Sequence, residues 1–153
     1  MKKVFVLILV LIAISCVSAS AKNGALGLGV IVGEPTGISM KLWSSSRTAI
    51  DGAVAWSFEK HSKFQIHGDF LIHKYGKVSV EKGSLPLYYG IGGRIKTWND
   101  NRDDNVGVRF PVGLEYLFAN APIDIFLEVV PILDLAPSTD LELNAAIGFR
   151  YFF

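Results

Sequence analysis

Beyond residue 21 the chain alternates with a period of two. In 106–118 the even positions are Val106, Val108, Phe110, Val112, Leu114, Tyr116 and Phe118, while the odd positions are Gly107, Arg109, Pro111, Gly113, Glu115 and Leu117. In 140–153 the odd set is Leu141, Leu143, Ala145, Ile147, Phe149, Tyr151 and Phe153, and the even set carries Glu142, Asn144, Gly148 and Arg150. Segments 122–132 and 64–75 divide the same way. Ile123, Ile125, Leu127 and Val129 alternate with Asp124, Phe126 and Glu128, and Phe64, Ile66, Phe70 and Ile72 alternate with Gln65, His67, Asp69 and His73. Two residues is the strand period, so each segment is a strand with one apolar face and one face of charges and small residues. The pattern predicts eight strands, at 24–33, 36–43, 48–58, 64–75, 85–98, 106–118, 122–132 and 140–153, joined by clusters rich in Gly, Pro, Asn, Asp and Ser. No segment of helical period follows residue 21.

Two closed barrels fit such strands, with opposite faces inward. A soluble lipocalin-like carrier turns the apolar face in, whereas an outer-membrane barrel turns it to lipid and keeps the polar face inside. Small residues decide between them. Gly27, Gly29, Gly37, Ala49, Ala53, Ala55, Gly90, Gly92, Gly107, Gly113 and Gly148 all lie on the polar face. They are poor choices for a water-facing surface, because Gly weakens a strand. Inside an eight-stranded barrel they make room for long charged neighbours. The prediction is an all-β, eight-stranded, antiparallel up-and-down transmembrane barrel. Aromatic residues agree: Trp56, Phe58 and Phe64 mark one boundary, and Tyr116, Phe118, Tyr151 and Phe153 the other.

Composition supports this picture. Mean hydropathy is +0.37, yet no apolar run of helical-span length exists beyond residue 21. A net charge of +1 gives no reason to expect nucleic-acid binding. The first segment is an address: Lys2 and Lys3 precede an apolar run from Val4 to Ile14, followed by Ala19-Ser20-Ala21. Residues 1–21 are therefore expected to be a signal peptide and 22–153 the barrel domain, with cleavage after Ala21 or Ala19. Loss of Lys2 and Lys3 would take the net charge from +1 to −1, and Cys16, the only cysteine, would leave with the signal. Ala13-Ile14-Ser15-Cys16 also reads as a loose lipobox, which would instead lipidate Cys16.

The final residues Ala145 to Phe153 resemble the C-terminal signal read by the outer-membrane assembly machinery, with a terminal Phe preceded by apolar or aromatic residues at alternate positions. The resemblance gives that role to Phe149, Tyr151 and Phe153. More broadly, residues 24–153 are similar to small barrels of the OmpX/OmpA-transmembrane type. The segments Gly33-Glu34-Pro35-Thr36-Gly37, Leu85 to Gly93, Val108 to Leu114 and Asp124 to Pro137 look like those of an OmpX-like bacterial family. The resemblance implies export to the outer membrane, contact with its lipids and its assembly machinery, and a monomer.

Candidate chemistry is sparse. His61-Ser62 are adjacent, which does not match the His-x-Ser of a lipid A deacylase barrel. His67 and His73 are about 20 Å apart along one strand, too far to share a metal. Asp100, Asp103 and Asp104 lack the spacing of a calcium loop. No catalytic residues, cofactor or metal are expected. The polar face instead carries five cations, Lys41, Arg94, Lys96, Arg109 and Arg150, against Asp51, Asp69, Glu115, Asp124, Glu128 and Glu142. Near-balance at this density implies a paired, plugged interior rather than a pore. With Asn120-Ala121 as a two-residue turn, Glu128 falls opposite Gly113. A comparable register across the preceding loop sets Arg94 opposite Arg109. Two adjacent guanidiniums need acids between them, so an Arg94, Arg109, Glu128 and Asp69 cluster is expected. The function read from these features is a structural or surface-interaction role in the envelope, without enzymatic activity.

Overall fold

The computed structural model describes residues 25–57, 63–98, 101 and 103–153. The signal peptide, Cys16, Phe58, His61-Ser62 and Asp100 lie outside the described residues. Within them the chain forms nine strands: β1 Leu26–Gly33, β2 Gly37–Trp43, β3 Thr48–Ser57, β4 Lys63–Lys74, β5 Leu87–Trp98, β6 Asn105–Arg109, β7 Val112–Leu117, β8 Ile123–Ala136 and β9 Asp140–Phe152. All pairings are antiparallel. Strands β6 and β7 occupy one position in the ring, since both pair with β5 and with β8. β1 pairs with β9 and β4 with β5, so the sheet closes into an eight-position barrel without a free edge.

The break between β6 and β7 has a local cause. Phe110-Pro111 sits opposite Val130-Pro131, and two prolines cannot supply ladder N–H groups at the same level. The remaining groups still find partners: Phe110 N donates to Pro131 O at 2.9 Å and Gly90 N to Pro111 O at 2.9 Å. The expected single strand 106–118 is thus interrupted but not diverted.

Register fixes the barrel's shape. The chain of hydrogen-bonded neighbours that starts at Arg150 of β9 runs through Gly29, Ser39, Ala53, His67, Arg94, Gly107 and Asp134. It returns to β9 at Asp140, ten residues along. That stagger over eight strands corresponds to a strand tilt of about 40°. Tilted strands of this length span a bilayer's apolar core, and the enclosed space is only wide enough for side chains.

Face order is the reverse of a soluble carrier's. Val30, Ile91, Leu127 and Leu143 are 52–66 % exposed, whereas Arg94, Arg109, Glu115 and Arg150 are at most 1 % exposed. A small apolar cluster of Ile31, Ala53, Leu71, Tyr88, Phe126 and Ala146 packs among the interior charges. Trp56 pairs with Phe64 at one end of the wall. At the other end Tyr116 meets Phe118 and Tyr151 meets Phe153 edge to face, with ring centroids 4.7 and 5.1 Å apart.

Candidate functional site: three tiers of charge inside the barrel

The polar face of every strand projects into a lumen that water does not fill freely, so each charge must find its counter-ion there. The pairs form three tiers from the rim bearing the chain termini to the opposite rim.

In the first tier Lys41 Nζ donates to both Glu115 carboxylate oxygens at 2.6 Å and lies 2.8 Å from His73 Nε2. Arg150 donates to Asp124 through Nε at 3.0 and 3.1 Å and to Glu115 through Nη2 at 3.0 Å, and pairs with Asp51 at 3.5 Å. Aromatic faces complete the enclosure: Lys41 Nζ stands 4.2 Å from the Trp43 ring centre, and the Arg150 guanidinium 4.0 Å from that of Phe126. Gly148 permits the last contact, since a Cβ there would collide with the Phe126 ring.

In the second tier Arg109 Nε donates to both Asp69 oxygens at 3.0 and 3.1 Å, and its Nη2 lies 3.6 Å from Glu128. Glu128 also accepts from the Tyr88 hydroxyl at 2.9 Å. As the turn arithmetic predicts, Glu128 pairs across from Gly113. The space left by that glycine is taken by the Tyr88 ring: a Cβ at 113 would stand 2.5 Å from Tyr88 Cζ.

In the third tier Arg94 donates to Asp134 at 2.8–3.2 Å and to Glu142 at 2.5 Å, and Lys96 reaches Glu142 at 3.3 Å. Asn105 accepts from the Trp98 indole at 3.0 Å and donates to Asp134 at 3.4 Å.

Three of the four predicted cluster residues therefore meet: Arg109, Asp69 and Glu128. Arg94 does not join them, for two reasons. Its register places it opposite Gly107, while Arg109 faces Gly92, so the guanidiniums are offset by two residues rather than level. Second, β8 runs on to Ala136, past the end expected near 132, which carries Asp134 into the lumen, where it is 4 % exposed. The turn-forming residues from Asp134 to Thr139 are the reason an end near 132 is expected, but Asp134 keeps the inward parity of Asp124 and Glu128. That parity was the available signal. With Asp134 included, five cations and seven carboxylates point inward among the described residues.

Phe149, Tyr151 and Phe153 all project outward, 42 %, 45 % and 66 % exposed. Phe153 N donates to Leu26 O at 2.9 Å, tying the last residue to the first strand. Among the described residues no group of three or more His, Cys, Asp or Glu is placed to hold a metal.

No family model and no curated protein sequence matches the chain. Its architecture is similar to the N-terminal β-barrel domain of Pseudomonas aeruginosa OprF, with a TM-score of 0.63 over 84 % of this chain and 95 % of that domain, at 12 % identity. The chain has an OprF-type β-barrel fold. The likeness at this identity concerns the fold alone.

The charges buried in the lumen have a measurable consequence. Reconstituted into planar bilayers, the protein is expected to give no stable, ion-selective conductance, because among the described residues twelve charged side chains project into the lumen. Reproducible unitary steps that survive a change of preparation would contradict that expectation.

Proposed function

We propose that this chain is an integral outer-membrane protein, exported by its N-terminal segment. Its closed, salt-bridged barrel would serve envelope integrity or short-loop contacts at the cell surface rather than transport or catalysis. One observation carries the reading: the apolar face of the closed sheet points outward while its charges are buried inside. In water that arrangement would leave a continuous apolar belt exposed, far beyond the patch size a soluble monomer tolerates. In lipid it satisfies every strand, because all backbone bonds lie between neighbours in the ring. The OprF-type architecture and the outward aromatic pairs near both rims support the same conclusion. The segments Gly33 to Gly37, Leu85 to Gly93, Val108 to Leu114 and Asp124 to Pro137 look OmpX-like, and Phe149, Tyr151 and Phe153 are read as the recognition element for assembly.

The test is extraction and heat modifiability. The protein is expected to partition with membranes, to need detergent for release, and to run faster on SDS gels before boiling than after. Release by buffer alone, or one mobility under both conditions, would sink the membrane reading. Deleting Phe153 is expected to reduce assembly strongly in cells while leaving already folded barrels stable. Its ring is exposed and contributes little packing, although its N–H tethers β1. Wild-type assembly levels in the deletion strain would remove the recognition role.

A further inference from the structure

Among the described residues, charge on the outer surface is confined to the two rims, and the rims differ. The exposed charged side chains at the rim of 34–36, 103–104 and 137–140 are Glu34, Asp103, Asp104 and Asp140, and at the rim bearing the chain termini they are Arg47, Lys74, Lys77, Lys82 and Glu81. Among these residues one rim is acidic and the other basic.

The basic rim is built around the connection between β4 and β5, residues 75–86, much longer than the turns at 44–47 and 118–122 on the same side. It is an ordered strap. Ser84 exchanges both backbone bonds with Leu117, at 3.0 and 2.8 Å, and the Tyr116 hydroxyl donates to Lys82 O at 2.7 Å. Gly83 takes φ +76°, and a Cβ there would meet Leu117 O and the Tyr116 ring, so the close approach needs glycine. The strap is thereby fixed to the aromatic pair Tyr116–Phe118, where the apolar wall ends. It leaves Val78 and Val80 exposed, at 42 % and 38 %. Lys74 follows the outward parity of Phe70 and Ile72, so its stem lies along the apolar wall and its ammonium at the edge. Arg47 stands beside it, since His73 N donates to Arg47 O at 2.7 Å.

We propose that Arg47, Lys74, Lys77 and Lys82 form a binding surface for the headgroups of an anionic phospholipid leaflet, with Val78 and Val80 seated beneath them. The inference rests on the membrane reading above. Two features favour a lipid surface: the strap is fixed where the apolar wall ends, and two of the four cations, Lys74 at the end of β4 and Arg47 in the neighbouring turn, stand outside the strap along the same rim. Apolar residues flanked by Lys and Arg are the composition that holds a segment at an anionic interface.

The test places an environment-sensitive fluorophore on Ser79→Cys in a Cys16→Ser background of the full chain. The protein is folded into vesicles of phosphatidylcholine alone, or of equal parts phosphatidylcholine and phosphatidylglycerol, each doped with headgroup-nitroxide lipid. Insertion is first checked by the gel shift; failure to insert in either lipid defeats the membrane reading, and the present inference with it. With insertion shown, quenching is expected to be stronger in the anionic vesicles and to fall to the neutral-lipid level in molar salt. Lys77→Gln with Lys82→Gln should bring quenching in the anionic vesicles down to near the neutral-lipid level. Asp103→Asn with Asp104→Asn, on the opposite rim, should leave it unchanged. Equal quenching in both lipids, or an anionic preference that survives loss of both lysines, would overturn the proposal while leaving the barrel in its membrane.

Discussion

Replacing Glu115 by glutamine is expected to lower the stability of the folded barrel by about 3–5 kcal/mol, the scale for leaving a buried charge unpaired. Glu115 is fully buried and is the shared partner of Lys41, His73 and Arg150. Arg150 keeps Asp124 and Asp51 when Glu115 is neutralised, but no other carboxylate pairs with Lys41 among the described residues. The orphan is therefore the lysine. A double change, Lys41→Met with Glu115→Gln, removes that orphan and should cost clearly less than Glu115→Gln alone. Urea titration in detergent micelles, followed by the fraction running at the folded mobility, measures both. Equal losses in the single and double variants would show that the cost is steric or local rather than electrostatic.

Gly113→Val is expected to be comparably damaging, about 3 kcal/mol or more, by a different route. The first added carbon would meet the Tyr88 ring at 2.5 Å and the Leu127 carbonyl at 2.5 Å. Tyr88 is almost wholly buried, packed 5.5 Å from the His73 ring. It has no free volume to enter, and a displaced hydroxyl no longer donates to Glu128. Overpacking and an unsatisfied carboxylate then add. Tyr88→Phe, which keeps the ring and loses only the hydrogen bond, should cost about 1–2 kcal/mol. The same urea titration compares them, and a Gly113→Val variant within experimental error of the parent would refute the packing argument.

How much of this was legible in the sequence follows from the physics of a two-residue period. Parity assigns every residue of a strand to a face at once, so the inward charges and outward apolar residues of β4, β7, β8 and β9 were readable without knowing which strands pair. A two-residue turn also fixes register, which is why Glu128 lies across from Gly113. Longer connections leave register open. Asn99 to Asp104 joins β5 to β6, and there the expected level pairing of Arg94 with Arg109 is off by two residues. Strand ends are less legible still. The turn-forming run from Asp134 to Thr139 reads as a stop, yet β8, with Pro131 accommodated opposite the Phe110-Pro111 break, continues and delivers Asp134 to Arg94. Partner choice across the lumen is the least local property of all. Tyr88 finds Glu128 forty positions away, and Arg150 finds Asp51 ninety-nine positions away, through the stagger of the whole ring.

Closure of the ring by β1 and β9 has a kinetic consequence. The seam pairs Gly27 with Phe152, so it joins the first described strand to the penultimate residue of the chain. Until the last strand exists, any partial sheet has two open edges whose N–H and C=O groups find no partner in lipid. In the proposed membrane setting an incomplete sheet therefore has no stable inserted intermediate to wait in, and the β1–β9 contact closes a loop spanning nearly all the described residues. Contacts of that separation make folding slow, because chain entropy is lost before the seam's bonds form. Folding cannot finish before β9 has been made. The unfolded chain has to stay soluble until its C-terminal strand arrives, and that interval is when aggregation competes most strongly with assembly.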